Sequence, residues 1–171
     1  MITKAVFFII TAFILMFSSE GIAQDKQLWA KSFLNKKAPE LHIKKWLSEE
    51  PELKGKFVLI DFWATWCGPC KRAIPTMNRF SEEFQDNLVV IGISDETEAK
   101  VKSMTQPIMK YFSALDTDKR LNSIYDIKGI PHVVLIDPDG YVRWEGFPTL
   151  AGHELTSAVI KDAMETYKNK S

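Results

Sequence analysis

Residues 57–63 read Phe-Val-Leu-Ile-Asp-Phe-Trp, an apolar run broken by one acid, and four positions later the chain continues as Cys67-Gly68-Pro69-Cys70. Loss of polar alternation over such a run is the pattern of a strand covered on both faces, as in a parallel sheet. From Pro69 onward Ile74, Met77, Phe80 and Phe84 recur at helical spacing. Pro69 suits the first turn, where a missing donor leaves nothing unpaired, and Pro75 is predicted to kink the helix. Residues 88–93 form a second buried run, so strand, helix and strand make a right-handed unit with a parallel pair.

The flanking segments complete an α/β pattern. A short edge strand is predicted around Leu41, Ile43 and Lys45, a loop over 48–56, and a helix over 96–104 closed by Pro107. A short strand over 111–115 and a helix over 118–125 follow. Residues 132–136 and 141–145 are predicted to pair as a hairpin across Asp137-Pro138-Asp139-Gly140, a sequence suited to a tight turn. The last helix is predicted over 152–167, with Leu155, Ala158, Val159 and Ala163 facing inward. Repeats and low-complexity segments are absent.

At the N-terminus Lys4 precedes an apolar run over 5–17, and Ser18-Ser19-Glu20-Gly21-Ile22-Ala23 then ends in small residues at the positions an exporting peptidase reads. The run is shorter than the roughly 18 to 20 residues that span a bilayer as a helix. Residues 1–23 are therefore predicted to be a signal peptide cleaved after Ala23, 24–37 a loosely docked leader, and 38–171 a single domain. The alternative, an uncleaved membrane anchor, also leaves the folded part exported, periplasmic or otherwise extracytoplasmic. Charge adds no partner: 22 Lys plus Arg balance 22 Asp plus Glu, which argues against nucleic acid.

Two cysteines are too few for a stapled scaffold or a four-thiolate metal site. Their position at a strand-to-helix turn suggests chemistry. Unpaired N–H groups and the helix dipole favour an anion there, so Cys67 is the predicted attacking thiolate, and Cys70, one turn inside, the thiol that resolves a mixed disulfide. Such a pair cycles with no cofactor beyond the Cys67/Cys70 disulfide itself, and no metal is predicted. A purely structural bridge would close too short a loop to stabilise much, and a zinc site would need ligands that His42, His132 and His153 do not supply at paired spacing.

Asp61 is the second candidate. Inside a covered strand its charged form is disfavoured, which suits a general acid and base that takes and returns the Cys70 proton through water. If the strand is open there, Asp61 is simply solvated. Pro131 fits the first position of a strand, and His132 reads as a surface or site-rim group. Trp63, Trp66 and Trp144 read as core or rim packing, and Met104 and Met109 lack a neighbouring His or Cys for metal binding. Two rival functions remain: a copper metallochaperone using Cys67, Cys70 and His132, since thiolates suit Cu(I), and a thiol peroxidase. The second expects Thr-x-x-Cys, whereas Thr65 stands only two residues before Cys67.

The stretch Asp61-Phe62-Trp63-Ala64-Thr65-Trp66-Cys67-Gly68-Pro69-Cys70-Lys71, followed by Gly129-Ile130-Pro131 and the Asp137 to Gly140 turn, resembles the thioredoxin superfamily. The export pattern, Ala38-Pro39-Glu40-Leu41, Pro75 and an insertion between Ser94 and Tyr125 look like its extracytoplasmic TlpA/ResA branch, over residues 38–167. The resemblance implies a thioredoxin-like fold, a central mixed β-sheet flanked by helices on both faces. It implies a cis Pro131, with the Ile130-Pro131 backbone against Cys67, so that Trp66, Gly68, Pro69, Ile130 and Pro131 bind an extended substrate peptide. It further implies a monomer that reduces protein disulfides, some of them in apocytochrome c, with electrons from a membrane thiol donor. Gly68-Pro69 matches thioredoxin itself and implies a reducing poise. Ala73 departs from the ResA-like members that carry a buried glutamate three residues after the second cysteine.

Overall fold

The computed structural model describes residues 28–170, so the predicted signal peptide and the first residues of the leader lie outside the described residues. Six strands form one sheet: β1 (Lys45–Trp46), β2 (Phe57–Phe62), β3 (Leu88–Ser94), β4 (Phe112–Leu115), β5 (His132–Ile136) and β6 (Val142–Gly146). The helices between and after them are α1 (Gly68–Glu83), α2 (Glu98–Lys102), α3 (Arg120–Ile124) and α4 (Ser157–Lys168). The spatial order is β1-β4-β3-β2-β5-β6, with β2, β3 and β4 parallel and the remaining neighbours antiparallel. This is the mixed sheet with helices on both faces that the resemblance implies.

The two runs without polar alternation become the central strands β2 and β3, buried at every position. Alternation along β2 sends Leu59 and Trp63 to the face covered by α1, and Ile60 and Phe62 to the other. On the first face Leu59, Val90 and Leu135 pack with Ile74, Met77 and Phe80 of α1 and with Ile160 and Met164 of α4. On the second, Ile60, Phe62, Ile91 and Ile93 pack with Leu121 of α3, Tyr125 and the partly buried Phe33. α1 runs from Gly68 to Glu83 through Pro75.

Three expectations need correction. α4 begins at Ser157 rather than 152, because Gly152 adopts φ 75° in a turn and Thr156 then caps the helix, its side chain accepting from the Val159 N–H. In the shifted helix Ile160 and Met164 are the buried residues and Ala158 is exposed. β1 is only two residues long, Lys45–Trp46, held at the edge by β4, and the expected strand positions Leu41 and Ile43 lie before it in irregular chain. The leader is not loosely docked: the Glu145 carboxylate, 5% exposed, accepts from the N–H groups of Phe33 (2.9 Å) and Leu34 (3.2 Å) and from the Ser32 hydroxyl. The Lys31 N–H donates to Tyr125 O at 2.8 Å, and the Lys128 N–H donates to Trp29 O at 2.7 Å. Glu145 is the acid of an ordinary alternating strand in sequence, with nothing local to show what it would hold.

Among the described residues, no helix is long and apolar enough to cross a membrane.

Candidate active site

The end of β2 carries the chain to the site. Trp63 extends the ladder by one bond, its N–H donating to Ile93 O at 3.0 Å, and the Cys67 N–H then closes a turn onto Ala64 O at 3.1 Å. Between them Thr65 is pinned by Glu96, whose carboxylate accepts from the Thr65 N–H at 2.6 Å and its hydroxyl at 2.8 Å. The turn into α1 is thus fixed from the loop after β3.

Cys67 is the N-cap of α1, with extended φ −81° and ψ 102°, and its Sγ accepts from the Cys70 N–H at 3.1 Å. This is the position where a side-chain acceptor satisfies an orphan helix donor, and where negative charge on sulfur is favoured. The two cysteines form a disulfide with Cα atoms 5.2 Å apart. Cys70 is fully buried and Cys67 is 3% exposed, so the bridge offers its outer sulfur first. Trp66 stands beside it, 70% exposed, with Pro69 exposed and Gly68 half-buried on the opening turn. Across the mouth, Ile130 O lies 3.7 Å from Cys67 Sγ, and the Ile130–Pro131 bond is cis. A cavity of about 150 Å³ opens next to the bridge, bounded by Trp63, Trp66, Ile130, Asp95 and Asp116.

Asp61 sits in β2 on the α1 face, in register with Gly92 of β3 and Val133 of β5. It is fully buried, which overturns the solvated alternative. Its Oδ2 accepts from the Tyr111 hydroxyl at 3.1 Å, while Oδ1 has no protein partner. Burial pushes its pKa from 3.8 to about 7, against the smaller, opposite pull of the Tyr111 hydrogen bond. The result is a carboxyl group that exchanges a proton near neutrality inside the fold that presents the cysteines.

His132 is not a rim group. Its register partner on β2 is Phe62, it is fully buried, and the two rings lie 6.2 Å apart. Burial lowers its pKa to about 4, so it is neutral at pH 7. The trio required for copper does not assemble: among the described residues no group of three or more His, Cys, Asp or Glu side chains converges as a metal site. Trp63 and Trp144 are core residues, and Met104 and Met109 pack against the cluster holding Cys67 and Cys70. Sequence reasoning missed Glu96 and Tyr111, because neither lies in a local pattern with the residue it serves.

A family model described as the AhpC/TSA family matches residues 31–145. The thioredoxin-like protein YneN of Bacillus subtilis is 30% identical over 62% of this chain and 66% of its own, so this chain spans just under two thirds of that relative. The thiol-disulfide oxidoreductase ResA of Bacillus cereus is 34% identical over 72% of this chain and 73% of its own. The crystal structure of the thioredoxin domain of a thiol-disulfide oxidoreductase from Bacteroides vulgatus, 27% identical, superposes with a TM-score of 0.53 over 67% of this chain and 81% of that one. The matched segment runs from the docked leader into β6 and encloses both cysteines, so the chain belongs to the AhpC/TSA family, as a thioredoxin-fold member with the Cys-X-X-Cys pair of a thiol-disulfide oxidoreductase.

Proposed function

We propose that the protein is an exported disulfide reductase acting on protein substrates. The observation that carries this reading is Cys67 at the cap of α1 with its sulfur bonded to the Cys70 N–H, and Cys70 fully buried behind it. In the reduced protein the cap favours the Cys67 thiolate, which attacks one sulfur of a substrate disulfide. A Cys67–substrate bond forms and the other substrate sulfur leaves as a thiolate. Cys70 gives its proton to Asp61 through water and attacks Cys67 Sγ, expelling the second substrate thiolate and closing the bridge seen here. The substrate gains two electrons and the cysteine pair loses two. Trp66, Gly68, Pro69, Ile130 and Pro131 surround Cys67 and form the surface against which an extended substrate segment lies.

A membrane thiol donor, outside the cytoplasm, restores the dithiol. The export pattern of residues 1–23 supports that location. Apocytochrome c is a less fitting client than other exported disulfides, because Ala73, buried in α1, puts a methyl group where some similar proteins place an acid. The test is a Cys70→Ser variant, which removes the resolving thiol. A disulfide-linked client adduct is expected from the variant, and a reducing equilibrium against glutathione from the parent, whose Cys67/Cys70 pair is intact. Stoichiometric Cu(I) retention without any adduct would favour the metallochaperone. A potential near that of strong oxidants, about −120 mV, would reverse the direction of flow.

A further inference from the structure

Gly92 faces Asp61 across the β2–β3 pair and has no side chain to set against it. Other groups fill that space. A Cβ built on Gly92 would lie 2.5 Å from Met109 Cε, 3.0 Å from Tyr111 Cε2 and 3.1 Å from Trp63 Nε1, so all three side chains converge over this glycine. Met109 and Tyr111 come from the segment between Ser94 and Tyr125 that the resemblance set apart as an insertion. Tyr111 is 6% exposed, and its hydroxyl is the protein group that reaches the Asp61 carboxylate.

We propose that Tyr111 is a positioning residue for thiol-disulfide exchange: its hydroxyl holds Oδ2 of Asp61 and leaves Oδ1 as the atom that takes and returns the proton, with Gly92 making room for the ring. The proposal rests on the reading of Asp61 as the proton-transfer group. Few other groups compete for this role. The neighbours of Asp61 on its own face are Leu59 in β2, Trp63 just past its end, Gly92 in β3 and Val133 in β5, none of them ionisable. From α1, Cys70 packs in the cluster that holds Trp63, and burial and Tyr111 are the influences acting on the carboxyl group. A hydroxyl donating to a carboxylate favours the ionised form, so its loss drives the carboxyl further towards the neutral acid.

The experiment compares the pH dependence of the reduced protein's reaction with oxidised glutathione, and the ¹³C titration of the Asp61 carboxyl, in the parent and in Tyr111→Phe. The phenylalanine ring keeps the packing on Gly92. The titration midpoint is expected to rise by about one pH unit. The rate at pH 7 then falls about fivefold, following the ionised fraction as the midpoint moves from about 7 to about 8. Gly92→Ala, which pushes the ring aside, is expected to raise the midpoint in the Tyr111 background and to add nothing in the Phe background. An unchanged midpoint in Tyr111→Phe, with Asp61→Asn still altering the rate profile, overturns the role of Tyr111 and leaves that of Asp61 standing. A profile unchanged in Asp61→Asn removes both.

Discussion

Asp61 illustrates how one residue sets a balance between folding and chemistry. In the unfolded chain its carboxyl ionises at about 3.8, and in the folded protein at about 7. Below 3.8 both states hold the proton. Between 3.8 and 7 the unfolded chain has lost it while the folded one keeps it, so the Asp61 contribution to stability declines as pH rises through this window and levels off above. At about 1.4 kcal/mol per pH unit, the rise from 3.8 to about 7 corresponds to about 4 kcal/mol of stability forgone at alkaline pH. The Asp61→Asn variant of the oxidised protein is therefore expected to be more stable than the parent at pH 8, by an amount of that order, and similar to it near pH 4. Urea unfolding at the two pH values checks this. Asp61 was legible in the sequence because an acid inside an apolar run has no bland explanation that survives full burial. Its partner Tyr111 stands 50 positions away, and only the parallel β2–β3–β4 arrangement brings the two together.

At the scale of elements, β2 to β6 and α1 could be read directly, since loss of alternation and 3.6-residue spacing are properties of contiguous residues, whereas the two-residue β1 carries too little pattern to be placed. What escaped depends on side chains that cap or tie. α4 has a helical apolar pattern upstream of Ser157, but Thr156 provides the cap, and Thr156→Ala is expected to cost about 1 kcal/mol. The docking of the leader hangs on Glu145. Its carboxylate serves two backbone N–H groups and a hydroxyl, so Glu145→Ala leaves buried donors unsatisfied and is expected to cost about 2 to 3 kcal/mol. Limited proteolysis should then cut between Leu28 and Lys37 before it cuts the sheet; protection equal to the parent would show that the leader is held by packing alone. Glu96 plays a similar part at the site, and Glu96→Ala is expected to slow exchange by loosening the Thr65 turn with little change in the far end of the sheet, a contrast that amide hydrogen exchange resolves.

For the molecule as a whole, two buried ionisable groups pull stability in opposite directions over one range of pH. His132, with its pKa lowered from 6.5 to about 4 by burial, resists protonation in the fold, so stability is lost as pH falls from 6.5 towards 4. Asp61 loses stability as pH rises through much of the same interval. The parent is expected to be nearly flat between pH 4 and 6.5, whereas Asp61→Asn unmasks a stability that climbs with pH, measurable as the urea midpoint across that range. Neither slope could be foreseen from composition, because a net charge of zero says nothing about which charges are removed from water.

The ends of the described chain also have an orientation. Trp29 lies against Gly129, one residue from the Ile130 carbonyl beside Cys67, while Tyr167 near the other end packs its ring on Phe57, at the start of β2 and so at the opposite end of the strand that leads to the site. The described residues thus begin near the rim beside Cys67 and end near the far pole. A surface or fusion attached after α4 therefore leaves the rim beside Cys67 facing outward, because Tyr167 and the rim lie at opposite ends of β2.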